Sequence, residues 1–195
     1  MSFDVSSSSY DDHIRKTIPF YDTLHDQAID MVKAVKPHVK VWLDTGCGTG
    51  TLIEKALPQF KDTFFILADP SYEMLTTAKA RLKSVSMNHV RYLAIAGTES
   101  LTLDVSRRPE VITAIQSHHY FGPEGRLKAT KNCWDLLSND GLYITFENIM
   151  PNSREGIEIG LQRWTSFQIV QGKKPKESEE HKKRFNTKYY PIKTS

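Results

Sequence analysis

With 195 residues, 39% of them hydrophobic and 25% charged, the chain is long enough for one domain with a buried core. A net charge of +3 is too small to argue for a polyanionic partner such as nucleic acid, no segment approaches the length of a membrane span, and the opening MSFDVSSSSYDD lacks the basic start and apolar run of a secretory leader. Cys47 sits in a glycine-rich loop and Cys133 on a predicted helix, a pattern that sets up neither a disulfide framework nor a zinc site, so a cytoplasmic protein with reduced thiols is expected.

Residues 2 to 9 are polar and serine-rich and are expected to be mobile unless a ligand orders them. From Tyr10 to about Lys36, Ile14, Ile18, Tyr21, Leu24, Ala28, Met31 and Val32 recur at helical spacing, with Pro19 dividing the run into two helices and Pro37 ending the second. Next comes VWLDTGCGTG, residues 41 to 50. Val41, Trp42 and Leu43 read as a buried parallel strand, and Gly46, Gly48 and Gly50 remove side chains where the backbone must turn and a ligand approach. The helix that follows, from about Thr49 to Leu57, stops at Pro58. A dinucleotide loop spaces its glycines Gly-x-Gly-x-x-Gly over a pyrophosphate. Here the spacing is Gly-x-Gly-x-Gly, and Asp44, two residues before the first glycine, suits a cationic amino-acid group better than phosphates.

TFFILAD is a second strand, apolar on both faces and ending in Asp69. Pro70 and Ser71 open a helix to about Lys83, with Ser71 as its cap and Met74, Leu75, Ala78 and Leu82 as its buried stripe. VRYLAIA, residues 90 to 96, and VITAIQ, residues 111 to 116, are the third and fourth strands. Glu124 to Leu137 forms an amphipathic helix with Leu127, Cys133, Trp134 and Leu137 inward, and LYITFEN is the fifth strand. This alternation predicts an α/β fold, a doubly wound Rossmann-like parallel sheet ordered 3-2-1-4-5 with the ligand outside the carboxyl ends of the strands. After Pro151 the pattern is helical through Ile157, Leu161, Trp164 and Phe167. GKKPKESEEHKKR then interleaves its lysines with Glu177, Glu179 and Glu180, which reads as a solvated helix or lid edge rather than a nucleic-acid surface. A single domain over residues 1–195 is expected, with lid helices in 1–36, a cofactor-binding core in 37–149 and a helical extension in 150–195.

From about Tyr10 to Asn148 these motifs resemble the class I S-adenosylmethionine-dependent methyltransferases. More narrowly, IQSHHYFGPEGRLKATKNCWDLLSNDGLYITFENI and the later RWTSFQ are similar to a group of bacterial members without an assigned acceptor. The resemblance implies S-adenosylmethionine as cofactor. Its methionine part would lie on Asp44, Gly46, Cys47, Gly48 and Gly50, its ribose hydroxyls on Asp69 followed by Pro70, and its adenine against Tyr72 or Met74. Gly97, Thr98 and Glu99 stand where the family often has an acid and then a small residue near the adenine. The usual Asp is missing, so that recognition falls to the Thr98 backbone or to Glu99. Gln116 and Ser117 leave the fourth strand as cofactor contacts. Tyr10 and Arg15, in a lid-like YDDHIRKTIPFYD, stand where an aromatic and a basic residue approach the methionine carboxylate, the alternative being an amphipathic helix with Arg15 in solvent.

His118 and His119 are the candidate catalytic residues, either as a general base toward the acceptor or as packed histidines. A shared metal is disfavoured because consecutive residues leaving a strand point in opposite directions. The implied reaction is in-line displacement of the methyl group by a small-molecule acceptor, in a region given aromatic character by Tyr120, Phe121, Trp164 and Phe167 beside Glu147. A binding protein that no longer transfers methyl groups, or a tRNA-modifying methyltransferase, are the alternatives. The final antiparallel strand pair of the full fold has no counterpart in the last forty-five or so residues, so the chain is either a piece of a longer protein or has a short sheet. The exposed edge of strand five is expected to be covered by the C-terminal helices or by a second subunit in a homodimer.

Overall fold

The computed structural model describes residues 7–104, 106–185 and 187–193, the side chains of residues 7–9 excepted. The expectation for residues 2 to 6 lies outside these; helix α1 (Ser7–Arg15) begins directly after them. Strand β1 (Val41–Thr45) is buried along its whole length because both faces are covered. Val41 and Leu43 join one apolar cluster, with Ile66, Ala68, Ile112, Cys133 and Leu137, while Trp42 joins the other, with Ala28, Ile29, Ile53, Phe60 and Phe65. This alternation of faces is the strand period of two expressed in a strand with no polar side.

Strand β2 (Phe64–Ala68) and strand β4 (Val111–Ile115) flank β1 in parallel, with Leu43 opposite both Ile66 and Ile112. Adding β3 (Val90–Tyr92) and β5 (Leu142–Phe146) gives the order β3-β2-β1-β4-β5. The sheet order read from the sequence is thus the observed one. Helices α2 (Tyr21–Val35), α3 (Thr51–Ala56) and α4 (Tyr72–Arg81) supply the cluster around Trp42. Helix α5 (Pro123–Leu136) closes the opposite face through Cys133. The Trp42 indole donates to Thr113 Oγ1 at 3.0 Å, so its one polar group is satisfied inside the core. Ser71 Oγ accepts from the Met74 amide and caps α4.

Two expectations are corrected. On α5 the buried stripe is Ala129 and Cys133, four residues apart, whereas Leu127 and Trp134, seven apart, share the opposite face and are 72% and 77% exposed. The sequence reading merged two stripes; a small Ala at the sheet lets the helix approach while its large side chains face out. The second correction concerns the run 172–184. After β6 (Ile149–Met150) and α6 (Arg154–Val170), helix α7 (Pro175–Lys182) buries Ser178 and His181, and Lys173 before it is buried too, so this run is not simply solvated.

The chain then returns to the carboxyl end of the sheet. The Tyr190 amide donates to His119 O at 2.7 Å, and β7 (Ile192–Lys193) pairs in parallel with β6. This two-residue pair does not join the main sheet, of which β5 is an edge.

Candidate active site

The turn from β1 into α3 holds Gly46, Gly48 and Gly50 at φ +67°, +54° and +79°. Space divides their roles. A Cβ on Gly46 would sit 2.4 Å from Ser117 Cβ, and one on Gly50 would sit 3.2 Å from Ala78 Cβ, so these two permit close packing. A Cβ on Gly48 would meet nothing within 4 Å, because Gly48 lines a cavity of about 200 Å³ at the carboxyl ends of β1, β2 and β4. The middle glycine therefore leaves room for a ligand.

Asp44 forms part of this cavity's wall and is buried. Its Oδ1 accepts from Thr113 Oγ1 at 2.7 Å, and Oδ2 has no partner among the described residues. Burial pushes the carboxyl up to about 7, against the Thr113 hydrogen bond that favours ionisation and with a further push from the nearby Asp69 charge. A cationic ligand group would reverse that cost. Asp69, at the end of β2, accepts from the Gly48 amide at 2.9 Å through Oδ2 and from the Ser71 amide at 2.8 Å through Oδ1. Burial raises it, and the two amides counteract the rise. Each oxygen keeps a lone pair, which together can accept from a cis diol.

The remaining wall comes from the loops after β3 and β4. Thr98 Oγ1 shares a 2.6 Å hydrogen bond with Thr45 Oγ1, and Asn132 Nδ2 donates to the carbonyls of Thr98 and Leu101, which fixes Gly97, Thr98 and the exposed Glu99 at the rim. Gln116 adopts a left-handed conformation at φ +52°, with its backbone amide and its Nε2 both donating to Phe146 O. Its buried Oε1 has no partner among the described residues, an acceptor left over for a ligand donor. Cys47, Pro70, Met74 and Ser117 also line the cavity, as does Tyr10 from α1. Gly50 lies one layer behind. Arg15 lies elsewhere: its Nε donates to Asp22 Oδ2 at 2.8 Å on the surface, and it lines neither cavity.

A second cavity of about 640 Å³ adjoins the first, and both are lined by Tyr10 and Tyr120. Its other walls are α1, α6, α7 and the segment around Tyr189. Tyr189 has ring centroids of Tyr120, His119 and His181 at 5.6, 5.7 and 5.3 Å, and Trp164 packs on His181 at 4.8 Å.

The two histidines diverge here. His118 is 1% exposed, has Nδ1 at 3.1 Å from Tyr143 Oη and lines neither cavity; burial lowers its pKa. His119 lines the larger cavity with Nδ1 3.2 Å from Glu147 Oε2. Glu147 also accepts from Thr145 Oγ1 at 2.8 Å and from the His118 amide at 3.0 Å. Burial pushes the Glu147 carboxyl up, but His119 and these two donors outweigh it and the net shift is down. Among the described residues no group of three or more His, Cys, Asp or Glu side chains is placed to hold a metal.

Sequence reasoning missed Asp11, Tyr21, Tyr189 and Lys173. Asp11 fastens α1 over the glycine turn: Oδ1 accepts from Thr49 Oγ1 at 2.6 Å and Oδ2 pairs with Arg81, which also pairs with Glu54 at 2.8 Å. Tyr21 lines the smaller cavity beside Tyr10. Only the density of Tyr and Asp in YDDHIRKTIPFYD hinted at either.

A methyltransferase-domain family matches residues 43–143, more than half of the chain. Carboxy-S-adenosyl-L-methionine synthase of Nautilia profundicola is 22% identical over 166 residues, 85% of this chain and 69% of that enzyme. The tRNA (guanine-N(7)-)-methyltransferase A of Xenopus tropicalis is 25% identical over 133 residues, 68% of this chain and 48% of that protein. An S-adenosylmethionine-dependent methyltransferase structure from Clostridium acetobutylicum aligns with a TM-score of 0.60 and 26% identity, covering 73% of this chain and 56% of its own. The N-methyltransferase NodS from Bradyrhizobium japonicum, solved with S-adenosyl-L-homocysteine, aligns with a TM-score of 0.60 and 17% identity, covering 85% and 83%. This chain therefore spans only about half the length of the Xenopus and Clostridium proteins. With the matched domain running from the strand before the glycine turn to the fifth strand, the chain belongs to the class I S-adenosylmethionine-dependent methyltransferases, and S-adenosylmethionine is its cofactor.

Proposed function

We propose that the protein transfers a methyl group to a small-molecule acceptor seated in the larger cavity. The observation that carries this reading is the pair Tyr10 and Tyr120, which line both cavities and so bring two ligands to one wall. When bound, S-adenosylmethionine supplies an electrophilic methyl carbon on a sulfonium. The chain's own residues then hold and orient. Asp44 takes the amino group, Asp69 the ribose diol, and Gln116 Oε1 a donor at the end of β4. Holding two reactants at near-attack distance is worth up to about 7–11 kcal/mol, so little further machinery is needed. For an acceptor that arrives protonated, His119 acts as general base, with Glu147 as the positioning residue that anchors Nδ1.

The test is release of S-adenosylhomocysteine over fractionated metabolite pools and, separately, over tRNA. Release driven by small metabolites is the expected result. Release driven only by tRNA would replace this reading with a tRNA-modifying one, and S-adenosylmethionine binding without turnover on any pool would make the chain a binding protein. A carboxylated cofactor among the products would move the chemistry toward that of the Nautilia relative. With an acceptor in hand, His119→Ala should lower kcat by about 10²-fold or more if the acceptor loses a proton, and leave it near unchanged if the acceptor is already a free nucleophile.

A further inference from the structure

The ionised side chains on the described wall of the larger cavity are of one sign. Its described wall contains Arg163, Arg184 and the histidines 13, 119 and 181, and neither Asp nor Glu. Behind His13 and Thr17 stands Lys173, 8% exposed. Its ammonium donates to Thr17 Oγ1 and lies 3.3 Å from His13 Nε2, so both of its partners are neutral. The placement is built into the chain. Gly172 ends α6 at φ +90°, the Lys173 amide donates to Gln168 O at 3.0 Å, and the turn carries the lysine side chain inward against α1. The acid whose charge reaches Lys173 is Glu177, which is exposed and lines neither cavity. Glu147, the buried acid on this side, is taken up by His119, Thr145 and the His118 amide.

A buried ammonium without a carboxylate is costly, and an anionic ligand removes the cost. Burial, with help from Arg184, lowers Lys173 to about 8, and burial together with neighbouring cations lowers His181 to about 3. Both responses mark a place short of negative charge. Most of the remaining wall is apolar or aromatic, including Ile14, Ile157, Leu161 and Phe167. Two ring contacts, His181 to Tyr189 at 5.3 Å and Tyr189 to Tyr120 at 5.6 Å, lead from the cationic end to the tyrosine wall shared with the cofactor cavity.

Resting on the reading of this cavity as the acceptor site, we infer that the acceptor carries an anionic oxygen group, carboxylate or phosphate, on an apolar body. The anion lies at the end formed by Lys173, His13 and Arg184, and the reacting atom lies at the Tyr10–Tyr120 wall. Arg184 adds a guanidinium charge at this end, and Lys173 supplies charge from one layer behind.

The experiment is calorimetric titration of the S-adenosylhomocysteine-saturated protein with phenylacetate, phenyl phosphate and neutral phenylacetamide. At least one anion should bind ten-fold or more tighter than the amide, and the stronger of the two identifies the head group. Lys173→Met should reduce that preference at least five-fold, while Lys173→Arg retains it; Arg184→Gln gives an independent reduction if Lys173→Met fails to fold. The inference is overturned if the amide binds as tightly as both anions, if the charge-removing variants keep the preference, or if none of the three compounds binds. The saturation step separates the two readings. Absence of S-adenosylhomocysteine binding would strike at the cofactor assignment alone, and the same three titrations into the ligand-free protein would still decide the charge preference.

Discussion

Asp44 keeps a carboxyl group where burial makes ionisation unfavourable. Its folded pKa of about 7 lies above the ordinary carboxylate range near 4, so the unfolded chain holds fewer protons at this position between those values. Stability from this group therefore falls as pH rises from about 4 to 7, and above 7 the full cost, on the order of 4 kcal/mol, is present. Asp44→Asn should raise the thermal midpoint of the ligand-free protein at pH 7.5 by about 5 °C or more while abolishing cofactor binding, the two read by calorimetry on one sample. In the parent protein, S-adenosylmethionine affinity should rise with pH to about 7 and level off, with proton release visible as a buffer-dependent binding enthalpy below pH 7. The glycines allow a second contrast. Gly46→Ala collides with Ser117 and should lower the thermal midpoint sharply, whereas Gly48→Ala carries only the left-handed strain of roughly 1–2 kcal/mol and should weaken cofactor binding more than stability. These residues were readable from sequence because acid, glycines and strand are local to ten positions. Lys173 was not, because it is buried against the segment just after α1, 156 residues earlier at Thr17.

At the level of elements, α1 is fastened across the glycine turn. Asp11 ties it to the glycine turn through Thr49 and to α4 through Arg81, with both charged side chains largely buried. Charge-assisted hydrogen bonds of this kind are worth about 1.5–3 kcal/mol. Asp11→Ala should weaken S-adenosylmethionine binding by about ten-fold and speed amide hydrogen exchange in α1 selectively, leaving the strands protected. A uniform rise in exchange across the sheet would show instead that Asp11 serves global stability. The helical character of this segment was plain from apolar spacing and Pro19, but its attachment was not, since a carboxylate's partner depends on which elements meet. Arg15 makes the same point, with Asp22 at the start of α2 holding it at the surface. On α5, helical spacing marked the element correctly, yet size misled: the large Leu127 and Trp134 face out and the small Ala129 faces the sheet.

For the molecule as a whole, strand order followed from alternating strands and helices because right-handed crossovers leave few topologies. The C-terminal return was illegible, because a two-residue pairing such as β6 with β7 leaves no periodic trace in sequence. The edge of β5 and the exposed Leu127 and Trp134 on the neighbouring α5 motivate a test of the expected second subunit. Light scattering after size-exclusion chromatography should give a dimer that Trp134→Glu splits; a monodisperse monomer of the parent chain would count against it. The shared tyrosines carry a different consequence. Because Tyr10 and Tyr120 line both cavities, and because α1 carries His13 to the larger one as well, ligands seated in the two cavities would be coupled. Whatever factor occupancy of the smaller cavity exerts on affinity in the larger, occupancy of the larger exerts equally on the smaller, and α1 is the helix through which both would act.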